Sequence, residues 1–308
     1  MSDSPEENAP RSFPKADLGR VGIWQGVFDA HPAGRVREAV AELEEQGWGC
    51  VWIPETVSRH PFVSAGTLLG ATSRIKVATG IASIWARDPM STQSATMSLN
   101  EAFDGRFVLG LGVSHHTITE WVRKHDYSKP LSTMKAYLEQ MDKSMYRAPA
   151  PAQEPTRVLA ALGPKMLELS ASHADGAHPY FVPVEHTPIA RDAIGPDKLL
   201  AVEQMVVLSE DPTEARAIAR QHMEIYLGLP NYANNLKRLG FTEEEITGAE
   251  DRVVDAIVVW GSVDDIKARV QAHHDGGADH VCVQVLGADP TAIPSAQWAE
   301  LSEALVGD

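Results

Sequence analysis

The chain has 308 residues, 44% of them hydrophobic and 22% charged, the composition of an ordinary folded protein able to bury a large core. Its 27 Lys and Arg face 42 Asp and Glu, a formal charge of −15, which argues against nucleic acid or an anionic membrane as partner. An anionic small ligand stays open, because the free N–H groups of a helix start hold a phosphate locally.

Residues Met1 to Asp17 are polar at the start, with Pro and Glu and no apolar stretch, and are expected to be a disordered lead-in to a single domain over 18–308. No run approaches the roughly 18 apolar residues of a membrane span. Cys50 and Cys282 sit far apart in apolar runs, which predicts buried strand cysteines, no disulfide framework and a reducing, cytoplasmic setting.

Strand and helix signals alternate along the chain. Val21 to Gln25 is a short apolar strand. Gly34 to Gln46 carries Val36, Ala39, Val40 and Leu43 on one helix face and closes at Gly47. Cys50 to Ile53 is a strand, Pro61 to Ser73 a helix, Ile75 to Ile81 a strand, and Ser91 to Phe103 a helix opened by Ser91. Phe107 to Leu111 is the fourth strand, with a polar helix start near Thr117. Pro130 to Tyr146 sets Leu131, Met134, Leu138, Met141 and Met145 at helical spacing, a stripe read as core packing. Then follow strand Arg157–Ala161, helix Lys165–His173, and strands Ala177–Val182 and Leu199–Val207. Helices accumulate through Thr213–Leu227, Tyr232–Leu239, Glu243–Ala249 and Val263–His273 before strand Val281–Leu286 and the helix Ser295–Val306.

Eight strands, each followed by helix, predict a (β/α)8 TIM barrel. The stretch Asp211–Trp260 is too long for one crossover and is read as a helical insertion between strands 7 and 8. In such a barrel the site lies at the C-terminal strand ends. These are Trp24-Gln25, Pro54-Glu55-Thr56, Thr79-Gly80-Ile81, Gly112-Val113-Ser114-His115, Leu162-Gly163-Pro164-Lys165, His178-Pro179-Tyr180 and Gln284.

Gly110-Leu111-Gly112-Val113-Ser114-His115 nearly matches the dinucleotide fingerprint G-x-G-x-x-G, but His115 replaces the third glycine and the motif follows the fourth strand. Gly163-Pro164-Lys165-Met166 places Pro at a first helical position, where it is either a plain cap or an anion cradle. The 12 histidines show no metal-ligand spacing, so no metal is expected. His273-His274 precede Gly276-Gly277 at a helix end, where a protonated ring suits the dipole. His115, just past a strand end, is a candidate proton carrier. No nucleophile elbow or Walker loop is present.

Four segments in order resemble the bacterial luciferase-like monooxygenase superfamily. They are Glu42 to Glu55, Ala78-Thr79-Gly80-Ile81 with Arg87-Asp88-Pro89, Phe103 to Ser114, and Leu162 to Met166 with Ala174-Asp175-Gly176. The run Gly110 to His115 is most similar to the subgroup using coenzyme F420, a deazaflavin. The resemblance implies a TIM-barrel oxidoreductase that transfers hydride between F420 and a small organic substrate. It also implies a non-prolyl cis peptide backing the ring at Thr79-Gly80. The ring and its phosphate-bearing tail are expected on Thr79, Gly80, Ile81, Gly112, Val113, Ser114, Gly163, Pro164, Lys165 and Met166. His115 and Glu55 are the candidate catalytic residues, although Glu55 is alternatively a partner for an arginine such as Arg59. Trp24, Trp85, Tyr180 and Phe181 are the candidate substrate pocket, with a lid around Tyr226 to Leu239. The acid–histidine pair of the sugar-phosphate dehydrogenase branch is replaced here by Glu55-Thr56, so a sugar phosphate is not expected. A homodimer is the family tendency. A deazaflavin reacts poorly with oxygen, so reductase or dehydrogenase chemistry is favoured over oxygenation; an FMN-dependent monooxygenase and a non-catalytic cofactor-binding relative are the alternatives.

Overall fold

The computed structural model describes residues 15–307. The expected lead-in therefore lies, through residue 14, outside the described residues. Ten strands run in chain order: β1 Val21–Trp24, β2 Cys50–Ile53, β3 Lys76–Thr79, β4 Ala82–Ser83, β5 Phe107–Gly112, β6 Arg157–Leu159, β7 Gly176–Ala177, β8 Leu199–Val207, β9 Val258–Trp260 and β10 His280–Val285. Every pairing is parallel, in the order β10-β1-β2-β3-β5-β6-β7-β8, and β8 pairs with β10 to close the barrel. Closure leaves no open edge on the eight-strand ring, and helices cover its outside.

Beyond shifts of one or two residues at other strand ends, the strands depart from the sequence reading in three places. β3 stops at Thr79, the chain turns through a cis peptide between Gly80 and Ile81, and β4 resumes pairing with β5. β7 stops at Ala177 rather than Val182, because Pro179 lacks an N–H and Phe181 adopts φ 59°. The segment between β8 and β10 is not purely helical, since β9 pairs with Met205–Val207 at the top of β8.

Two capping details also differ. The helix Pro89–Ala102 starts at Asp88, not Ser91, and the Asp88 carboxylate accepts the Ser91 N–H at 3.0 Å. His273 is not a charged C-terminal cap. It is fully buried between the Thr187 hydroxyl at 2.7 Å and Gln204 Oε1 at 2.9 Å, and burial pushes it down to about 3. The methionine stripe packs as expected through Met134 and Met141, while Met145 lies beyond the helix end at Asp142 and is exposed.

Small residues inside the barrel (Ala78, Val108, Ala201) make room for Trp52, which fills the lumen. Trp52 stacks on His178 with ring centroids 4.2 Å apart and donates its indole N–H to His280 Nε2 at 3.1 Å. Cys50 and Cys282 are buried and free in the same layer. This floor carries the site above it.

Candidate active site

A cavity of about 1520 Å³ opens at the C-terminal ends of the strands. It is larger than most small-molecule pockets, which span roughly 300–1,000 Å³, and has room for a cofactor together with a substrate. Its floor is the Gly80–Ile81 peptide, one bond beyond the expected Thr79–Gly80 position. That bulge is held from all sides. Gly80 donates its N–H to Ile53 at 2.8 Å, its carbonyl accepts the Trp24 indole N–H at 3.1 Å, and the Ile81 carbonyl accepts the Glu55 N–H at 3.1 Å.

Thr79 does not reach the cavity. Its hydroxyl donates to the Gly110 carbonyl at 2.7 Å and accepts the Gly110 N–H at 2.9 Å, pinning β3 to β5. The glycines of β5 answer the same bulge. A Cβ on Gly110 would stand 1.9 Å from the Thr79 carbonyl oxygen, and one on Gly112 would stand 2.4 Å from Ile81 Cδ1. The near-fingerprint of glycines thus exists because the neighbouring strand bulges inward, a reason the motif alone does not reveal.

Glu55 lies beside the bulge with its side chain 5% exposed and both oxygens engaged. Oε2 accepts the Ser83 N–H at 2.7 Å, while Oε1 meets Arg87 and, at 3.3 Å, Arg123. Arg59 instead donates to the His31 carbonyl. Past β5, Ser114 adopts φ 54°, and its carbonyl accepts the Tyr127 hydroxyl at 2.9 Å. His115 faces Tyr232, ring centroids 5.5 Å apart, and its Nδ1 is buried without a partner. Burial lowers its pKa, partly offset by the Asn231 side chain, so the ring is neutral at pH 7.

On the far side, the helix Pro164–His173 points its N-terminus at the cavity, with Gly163, Pro164, Lys165 and Met166 in the wall. Arg238, from the helix Pro230–Arg238, closes over this start, and a Cβ on Gly163 would meet its Nη2 at 3.3 Å. The Lys165 and Arg238 side chains and the Lys165 N–H make an anion-friendly corner of the cavity wall, while Pro164 has no N–H and Met166 donates its own to the Gly163 carbonyl at 3.1 Å.

Of the expected substrate pocket, Trp24 and Tyr180 line the cavity, with ring centroids 5.0 Å apart. Trp85 does not line it. Its indole donates to the Val113 carbonyl at 2.7 Å and props the loop from beneath. Phe181 is 1% exposed and packs behind Tyr226 and Tyr232. Those two tyrosines, with His222 and Asn231, come from the segment after β8 and supply much of the wall. The strand-end rule flags His178 and Gln284 but assigns them no role. His178 Nδ1 lies 2.9 Å from the Ala201 carbonyl, which makes it the N–H and leaves Nε2 a buried acceptor without a partner. Burial pushes this ring down to about 4.

Below the tyrosines, Glu203 accepts the Phe181 N–H on Oε2 at 3.1 Å, and its Oε1 is buried without a partner. Burial raises it from 4.5 to about 8, so it is a neutral acid at pH 7. The unfolded chain loses this proton near pH 4.5 and the native state near 8, so stability declines as pH rises through that window. Glu203→Gln is therefore expected to melt higher than the parent at pH 8, by roughly 2–4 kcal/mol of stability, and to match it at pH 4. Thermal unfolding at both pH values checks this, and a gap independent of pH would refute it.

Among the described residues no group of three or more His, Cys, Asp and Glu is placed to hold a metal ion, and no helix is long and apolar enough to cross a membrane.

The barrel and its mouth define a class. Residues 18–280 match the luciferase-like monooxygenase family, and the chain belongs to it. A Mycobacterium tuberculosis protein provisionally named a coenzyme F420-dependent oxidoreductase is 24% identical, the match covering 86% of this chain and 94% of that one. The 5,10-methylenetetrahydromethanopterin reductase of Methanolobus tindarius is 27% identical, covering 81% and 90%. The solved coenzyme F420-dependent tetrahydromethanopterin reductase of Methanopyrus kandleri shares the fold, with TM-score 0.76, 16% identity and coverage of 94% and 99%. Monooxygenases share it too, one of them solved in complex with FMN.

Proposed function

We propose that the chain is a coenzyme F420-dependent oxidoreductase that exchanges a hydride between the deazaflavin and a small organic substrate. The observation that carries this reading is a single cavity joining the Gly80–Ile81 floor to the helix start at Gly163–Met166. The relative whose name includes F420 matches along nearly its whole length. The residues present fit such a group. His178 offers an unpartnered acceptor nitrogen beside Gly80, and flavin-type rings carry an N–H donor. The Lys165 and Arg238 side chains and the Lys165 N–H at the start of Pro164–His173 suit a phosphate-bearing tail. A chain of charge −15 can hold it there because the holding is local.

When bound, the deazaflavin supplies the hydride-exchanging carbon, and the protein supplies position and exclusion of water. Gly80 and Ile81, together with Gly112, Val113 and Ser114, line the cavity and would hold the ring. Glu55 acts as an anchor for the bulge rather than as a proton carrier, because both its oxygens are already committed. His115, neutral and beside Tyr232, closes the wall near the segment after β8, which in this reading covers the substrate. The homodimer expected of the family belongs to the same reading, and sedimentation checks it.

Fluorescence titration of the purified protein with F420 and, separately, with FMN tests the cofactor. Saturable F420 binding is expected. FMN binding without F420 binding would replace this reading by the monooxygenase one.

A further inference from the structure

One wall of the cavity carries polar groups that neither the ring nor the tail needs. The Tyr180 hydroxyl donates to Gln284 Oε1 at 3.0 Å and stands 2.9 Å from the Tyr226 hydroxyl. With its oxygen so occupied, Gln284 turns its amide nitrogen to His222 Nε2, 3.2 Å away. An amide nitrogen only donates, so His222 Nε2 accepts and the ring proton resides on Nδ1. No hydrogen bond to Nδ1 occurs among the described residues, and His222 lines the cavity.

We propose that His222 Nδ1–H is a hydrogen-bond donor to the oxygen of a neutral carbonyl or hydroxyl substrate, oriented by the chain Tyr180–Gln284–His222. The inference rests on the hydride-transfer reading above for its second reactant. Neutrality of the ligand follows from the wall. Burial holds His222 down at about 4 and Glu203 up at about 8, and it raises Tyr180, Tyr226 and Tyr232 above the usual tyrosine range. None of these groups carries charge at pH 7, so a charged ligand would lose its hydration here with no counter-ion in return. A neutral imidazole donor also polarises a carbonyl without itself changing protonation state. Aromatic faces of Tyr180, Tyr226 and Trp24 supply the apolar contact for the rest of such a molecule.

Nitrogen NMR of histidine-labelled protein, with the His222 signals assigned by their loss in His222→Gln, tests the tautomer directly. The expected result is a neutral ring with a pyrrole-type Nδ1 and a pyridine-type Nε2. Gln284→Glu preserves shape but puts a carboxylate against Nε2, so the two signals should exchange character. Cyclohexanone, added with F420 present, is expected to move the Nδ1 signal in the parent and to bind about tenfold more weakly to Gln284→Glu. A pyrrole-type Nε2 in the parent, an Nδ1 signal unmoved by cyclohexanone, or equal affinity in both proteins would overturn the proposal. Failure of F420 to bind, with the tautomer as stated, would instead remove the cofactor reading and leave the donor standing.

Discussion

Gly112→Ala is expected to weaken F420 binding at least tenfold while the barrel still folds. The added methyl would stand 2.4 and 2.5 Å from Ile81 Cδ1 and Cγ1. Those atoms belong to a side chain, so Ile81 can swing away, and the cavity that it lines is open space for it to enter. The substitution therefore spends the room where the ring is to lie, and its effect falls on binding more than on folding. Gly110→Ala, two residues earlier, makes the opposite case. Its methyl would stand 1.9 Å from the backbone oxygen of Thr79, which cannot rotate aside. A stability loss of about 3 kcal/mol, at the upper end for overpacking, is expected there. Comparing titration with F420 and urea unfolding for the two variants separates the effects. Parent-like F420 affinity in Gly112→Ala would contradict the placement of the ring.

Arg87→Met is expected to cost about 3 kcal/mol of stability. Arg87 and Glu55 have side chains only 9% and 5% exposed, and Arg87 also lies over the Phe62 ring at 5.0 Å. Removing the cation leaves a buried carboxylate with the Ser83 N–H and Arg123, whose side chain is 25% exposed and better hydrated. The remaining partners place the expected loss at the lower end of the range for a broken buried pair. Pairing the change with Glu55→Gln should recover part of the loss, since the uncompensated charge is then gone. Urea unfolding of the two single variants and the double variant measures this. A loss under about 1 kcal/mol for Arg87→Met would show the pair to be solvated instead.

The barrel was legible because its strands are apolar runs bounded by turn residues, as in Cys50–Ile53 before Pro54 and His280–Val285 before Gly287. β9 was hidden for the converse reason. The helix Asp251–Ile257 passes straight into Val258–Trp260 with no Gly or Pro between, so the apolar run shows no boundary. The Gly80–Ile81 bulge was anticipated only to within one residue, since side-chain pattern does not encode which peptide turns. The strand-end rule picks out Trp24, Glu55, Gly112, His115 and Lys165, and all five line one cavity. It could not assign Glu55 its partners, because Arg87 and Arg123 lie 32 and 68 residues away. The same holds for Tyr180, Gln284 and His222, which three separate elements bring together across separations of 104 and 62 residues. Pocket aromatics were the least readable feature. Phe181 and Tyr180 are adjacent, yet the positive φ at Phe181 sends one ring behind the wall and leaves the other on it.

In the proposed function, one cavity takes a deazaflavin ring against the Gly80–Ile81 peptide and its phosphate-bearing tail at the helix start. Crystallographic density for the protein with F420 bound tests it most directly. The expected density places the ring on Gly80 and Ile81 and the phosphate within hydrogen-bond reach of the Lys165 N–H and of Arg238. Density for the ring away from the bulge, or for a phosphate remote from Gly163–Met166, would contradict it.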